Sequence, residues 1–316
     1  MTRPSSPSPA PPDRPRHVRV DNTPLGIASM FGSVLLFSIM NVVVKLLTDR
    51  FPITELTFFR SAFALLPVCV AIHITGGFRN ALRTARPVGH FTRTLIGLTT
   101  MVAMFWSFHL LPLGDAIALN FASPLFLTAL SVPMLGERVG IHRWGAVLIG
   151  FGGVLVIAKP SGDMLNLGVL VALVGAFCNA SAMITIRQLS KTEASNTIVF
   201  YFTFLSTILI AVTLPFAWVT PSPLEWAMLA GMGLLGGSAQ LLMTRAYSLA
   251  PAAVVAPLTY SSLLVAVLFG WLLWGDVPSA STGIGSAIVM ASGLYILHRE
   301  TRRNATPSRP PPPGSD

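Results

Sequence analysis

The sequence predicts an all-α integral membrane protein whose ten transmembrane helices form two inverted five-helix repeats. Three observations predict it: depletion of charge, the spacing of the apolar runs, and the placement of lysine and arginine. Of 316 residues, 53% are hydrophobic and 10% charged, with a mean hydropathy of +0.68. A soluble domain carries roughly 25% charged residues, so lipid must cover most of a surface this poor in charge. The net charge of +9 sits in tails and short loops. It forms no basic stripe with interleaved aromatics, which argues against a nucleic-acid partner.

Apolar stretches fall at about 24–46, 53–74, 88–110, 113–135, 141–158, 165–188, 196–219, 224–247, 251–274 and 280–298. Each approaches the ~20 residues that carry a helix across ~30 Å of hydrocarbon. Turn signals such as Leu111-Pro112-Leu113-Gly114, Lys159-Pro160-Ser161-Gly162 and Thr220-Pro221-Ser222-Pro223 separate them. Backbone polar groups inside lipid must be satisfied within the segment, which selects helices. The alternation of a membrane barrel is missing. Residues 1–23, rich in Pro, Ser and Arg, and residues 299–316, with Pro310-Pro311-Pro312-Pro313, read as disordered tails. The first has no apolar core and is no cleavable signal peptide. Cys69 and Cys178 lie inside apolar runs without ligand spacing, so neither a disulfide framework nor a metal is expected.

With ten spans, both tails share one face of the membrane. Sixteen lysines and arginines fall on that face, among them Arg14, Arg79, Arg86, Arg138, Arg143 and Arg187, against Arg50 and Lys159 opposite. The positive-inside rule then puts both termini in the cytoplasm. An odd number of spans would scatter the basic residues over both faces.

The two halves resemble each other. Leu25-Gly26 opens the first span as Leu167-Gly168 opens the sixth, and the same offset sets Lys45 on Arg187. Phe108-His109-Leu110-Leu111-Pro112 matches Tyr247-Ser248-Leu249-Ala250-Pro251, Asn120-Phe121 matches Thr259-Tyr260, and Gly136-Glu137 matches Gly275-Asp276. Five spans per half is an odd number, so the second half is inverted, an arrangement that transporters use with a site near the midplane.

The run from Arg245-Ala246-Tyr247 to Pro257-Leu258-Thr259-Tyr260, with Gly270-Trp271-Leu272-Leu273-Trp274-Gly275-Asp276 after it, resembles the EamA repeat of the drug/metabolite transporter superfamily. Its first-half counterpart runs from Pro124 through Gly136-Glu137-Arg138 to Gly150-Phe151-Gly152-Gly153. Residues 24–158 and 165–298 would be the two repeats. Phe58-Phe59-Arg60 and Arg86 to Arg93 resemble the branch containing S-adenosylmethionine and riboflavin uptake carriers. The resemblance implies a ten-helix basket around a central cavity in a bacterial inner membrane. It also implies a secondary carrier that moves a small polar or amphipathic metabolite (amino-acid-like, S-adenosylmethionine-like or flavin-like) by alternating access, with no cofactor. Its partners would be a small-molecule substrate and the lipid bilayer, and a homodimer stays open.

Charges at depth cost roughly 2.5–3.5 kcal/mol on insertion scales, so each needs a reason. Lys45 lies a turn from the outer end of span 1, where it can snorkel or gate. Arg60 lies near mid-depth of span 2, five residues past Glu55, too far for an ideal pair along one helix, and reads either as a tie to another helix or as a substrate contact. Arg93 sits about five residues inside span 3 from the cytoplasmic side, where it anchors that end or serves the site. Three cations against Glu55 favour a carboxylate or phosphate on the substrate, which a guanidinium binds through two parallel hydrogen bonds. Asp115 reads as a helix cap or a proton-coupling group. Uncharged candidates for the site are Asn41, Asn120, Asn179, Gln240 and Thr259, against the alternative that they join helices. Trp106 and Tyr260 can stack on a planar substrate or fill volume.

An intramembrane transferase would need a nucleophile–base pair, a metal cluster or paired carboxylates at matched depth. The sequence has no HExxH and no GxSxG, so no enzyme is expected; a transferase and a non-transporting scaffold are the alternatives. Without a Walker A loop, ATP does not drive the protein directly.

Overall fold

A computed structural model describes residues 22–75, 77–78, 82–136, 140–158, 167–190, 192–250 and 252–304. The expected tails lie outside these residues except at their inner edges, and so do Glu137, Arg138, Lys159 and Pro251. Among the described residues the chain is helical, without strands. The first half contains α1 (Thr23–Leu47), α2 (Ile53–Thr75), α3 (Pro87–Leu110), α4 (Leu113–Asn120), α5 (Ser123–Leu135) and α6 (Ile141–Ala158). The second contains α7 (Leu167–Leu189), α8 (Ser195–Ala211), α9 (Pro223–Leu249), α10 (Ala252–Val255), α11 (Ser261–Trp274) and α12 (Ala280–Asn304). The last helix thus runs past the expected end of its span.

Eight helical segments are long and apolar enough to cross a bilayer, α4 and α5 counting together as Leu113–Met134. Leu258–Trp274 is a shorter apolar helix. The 24-residue α3 is long enough but carries Arg93, two histidines and four threonines, which lower its hydropathy. The chain is a multi-pass membrane protein.

Packing follows the repeat. The first helix of each half lies on the third helix of the other, α1 on α9 and α7 on α3. The second, fourth and fifth helices pair with their own counterparts: α2 with α8, α4 with α11, and α6 with α12. The sequence matches between halves are themselves contact points. A methyl group on Gly26 would stand 2.6 Å from Cβ of Ala250, and one on Gly168 2.7 Å from Cγ of Leu111. Each Leu-Gly start therefore seats its backbone on the matching end of the other half's third helix, the close approach that small residues allow in membranes. In the fifth pair, Gly153 and Gly285 face each other with no room for a side chain on either.

The fourth helix of each half is interrupted. In the first half α4 ends at Asn120, Phe121 and Ala122 turn, and Pro124 stands at the start of α5. In the second, Ala256–Tyr260 is a 3-10 segment before α11. Both then end on glycine in the left-handed region, Gly136 at φ 67° and Gly275 at φ 70°, a conformation that costs other residues a Cβ clash.

Candidate functional site

A cavity of about 640 Å³ occupies the seam between the halves, within the size range of small-molecule sites. It runs from the two helix breaks to the helix ends where Arg143 of α6, Arg187 of α7, Tyr247 of α9 and Leu297 of α12 line it. Eight of the nine residues proposed from the sequence face it. Asn41 lies on α1, Arg60 on α2, Arg93 on α3 and Asn120 at the end of α4. Asn179, Gln240, Thr259 and Tyr260 come from the second half.

The repeat-related aromatic pair meets across the seam: the rings of Phe121 and Tyr260 are 4.8 Å apart at 56°. A methyl group on Gly293 would collide with the Tyr260 hydroxyl, so glycine makes the space this phenol occupies. Asn120 reaches back with Nδ2 donating to Met104 Sδ at 3.4 Å. The wall is otherwise soft, with Met30, Met40, Met101, Met104, Met183 and Met243 all lining it. Unbranched thioethers adapt to irregular ligands.

Arg60 and Arg93 are buried at 7% and 8% exposure. The Arg93 guanidinium lies over the Phe202 ring, 4.3 Å from its centroid. Its Nε and Nη1, and Nε of Arg60, have no hydrogen-bond partner among the described residues. Glycines make room for both. A methyl group on Gly236 would stand 3.2 Å from Arg60 Nε, and one on Gly97 would collide with the Arg93 guanidinium.

Four other candidates lie away from the cavity. Trp106 is 41% exposed on the outer surface of the bundle. Lys45 caps the far end: its Nζ donates to the carbonyls of Leu111 at 2.8 Å and Phe108 at 3.2 Å, and sits 5.3 Å from the Trp274 ring centroid. Those carbonyls are among the orphan acceptors at the end of α3, and the cation satisfies them. Glu55 is fully buried, and its Oε2 accepts the Val219 N–H at 2.9 Å, tying α2 to the segment before α9. Asp115 Oδ1 accepts the Thr282 hydroxyl at 2.8 Å, joining α4 to α12 rather than capping its own helix.

Arg143 and Arg187 also line the cavity, although at the ends of their spans the positive-inside rule already accounts for them. The repeat offered the missing signal for Arg187, which is the counterpart of Lys45. Nothing in an apolar run marks out the methionines.

Comparison with known proteins agrees with this layout. The chain is 32% identical over 283 residues to a riboflavin transporter of Vibrio cholerae, covering 88% of this chain and 95% of that protein. It is 33% identical over 265 residues to a pseudopaline exporter of Pseudomonas aeruginosa, covering 82% and 91%. With an S-adenosylmethionine uptake transporter of Rickettsia prowazekii it shares 29% over 280 residues, covering 88% and 94%. A solved crystal structure at 18% identity superposes with a TM-score of 0.61 over 89% of this chain and 99% of its own, so the fold is shared. The model of the EamA-like transporter family matches twice, at residues 24–159 and 166–297, and with both repeats matched the chain belongs to the EamA-like transporter family, within the drug/metabolite transporter superfamily.

Proposed function

We propose that the protein is a secondary carrier that moves a small polar or amphipathic metabolite across a bacterial inner membrane by alternating access. Ten spans, with α3 and the 258–274 segment completing the eight apolar ones, bring both termini to the cytoplasm. The observation that carries this reading is the asymmetry of the cavity: it reaches the inner helix ends and stops short of the Lys45 clamp at the outer ends. Arg187, the repeat counterpart of Lys45, lines the cavity instead. In an inverted repeat the two conformations exchange the roles of the halves. The clamp at Lys45 therefore breaks in the outward-open conformation, while the Arg187 end closes. The interrupted fourth helices stand at mid-depth, where such carriers bind substrate. Relatives named for riboflavin, S-adenosylmethionine and pseudopaline support the class of cargo without fixing it.

Full-length protein in liposomes tests the proposal. Saturable flux of an unmodified solute is expected, with trans-side solute accelerating it. Product formation would point to the transferase instead, and flux linear in concentration would sink the carrier. Reporter fusions at the two ends test the topology, and opposite faces would refute it.

A further inference from the structure

Resting on the carrier reading, we infer that the cavity holds its substrate by an anionic group, a carboxylate or a phosphate, bound between Arg60 and Arg93, with an apolar or flat body against Phe121, Tyr260 and the methionines.

The first support is that the two cations lack compensation. Neither forms an ion pair among the described residues, and both face the same cavity. The described residues that face the cavity include no aspartate or glutamate. Glu55, Asp115 and Glu193 lie outside the cavity lining and bond to other groups, Glu55 through Oε2 alone to Val219, Asp115 to Thr282, and Glu193 to Thr84 and Ala85. A buried, unpaired guanidinium is costly, and two facing one space are more so. A permanent structural role would have supplied a counter-ion. A transient one leaves that place to the ligand.

Geometry is the second support. The Arg93 guanidinium is held over the Phe202 ring, 4.3 Å from its centroid, and a guanidinium can grip a carboxylate or phosphate through two parallel bonds. Gly97 and Gly236 reserve the room for the two groups. Asn41 of α1 lines the same cavity at 5% exposure with Oδ1 unpartnered, and that acceptor suits an N–H or O–H on the body of the substrate, not its anionic group. The remaining wall is aromatic and thioether, suited to a ring or apolar chain.

Thermal unfolding of the detergent-purified full chain tests this with two matched probe pairs: riboflavin 5′-phosphate against riboflavin, and indole-3-acetate against indole-3-acetamide. At least one anion is expected to stabilise the protein with an apparent Kd at least tenfold below that of its neutral partner. Arg60→Met and Arg93→Met should each abolish that preference. Without ligand, each variant should melt above the parent, because an uncompensated charge is gone. Equal or stronger stabilisation by the neutral partners, or by none of the four, overturns the inference. So does a melting temperature lowered by both variants, since the arginines would then be structural. These readouts involve no flux, so a carrier with neutral cargo, and an anion binder that does not transport, give different results.

Discussion

Replacing Lys45 by methionine keeps the volume and apolar stem of the side chain while removing its charge. The clamp it forms consists of two hydrogen bonds to helix-end carbonyls, at 2.8 and 3.2 Å, and one ring contact at 5.3 Å. Hydrogen bonds between membrane helices average ~0.6 kcal/mol, those from a charged donor are stronger, and an exposed cation–π contact adds ~0.5–1 kcal/mol. The clamp is thus worth about 2–3 kcal/mol to the conformation closed at the outer end. At 1.4 kcal/mol per tenfold, losing it shifts the inward–outward equilibrium roughly 30- to 150-fold toward the outward form. The assay is labelling by a membrane-impermeant maleimide from the outer side. The reporter is Met104→Cys, a cavity-lining position, in a background where Cys69 and Cys178 are serine. Labelling should accelerate by more than tenfold in Lys45→Met and return toward the parent rate in Lys45→Arg, which can still donate to both carbonyls. An unchanged rate in Lys45→Met would refute the assignment of the clamp as an outer gate.

Three further outcomes follow from the packing. Glu55→Ala strands the Val219 N–H and should lower stability by about 1–3 kcal/mol, whereas Glu55→Gln retains an acceptor and should cost less; chemical denaturation in detergent ranks them, and equal losses would contradict the hydrogen bond. Gly26→Leu and Gly168→Leu each drive a side chain into the other half's third helix and should cost about 3 kcal/mol or more, read as a fall in folded yield; parental yield from both would contradict the interface. Trp106→Ala lies outside the cavity and should change the transport rate by less than about twofold, so a tenfold loss in reconstituted flux would return this residue to the site.

Much of the fold is legible because hydrocarbon imposes few and strict rules. Apolar length marks most spans, but α3 required its neighbours, since Arg93 and the threonines dilute its hydropathy. The polar side chains around the cavity were legible for the same reason: Arg60 and Asn41 are too expensive at depth to be there without a use. Where a cheaper explanation existed, the cavity was hidden. Arg143 reads as a positive-inside charge at a span end, Met183 as core, and only three-dimensional packing brings them to one wall. Trp106 illustrates the converse, because a tryptophan within a span gives no sign of which face it takes. Lys45, Glu55 and Asp115 drew attention as buried or near-buried charges, but their partners (two carbonyls, a backbone amide and a threonine hydroxyl) lie on elements far along the chain that no local pattern announces.

The contact between Gly153 and Gly285 has a consequence for movement. A methyl group on either would lie 2.6–2.8 Å from the carbonyl oxygen of the other, so two bare backbones touch with no flexible side chain between them to absorb sliding. In the proposed alternating-access cycle, this line would serve as the spine of a book does, an axis about which the halves swing without shifting. A covalent strap laid along α6 and α12 should therefore leave turnover intact, while the same strap fixed across the opposite edge would stop it.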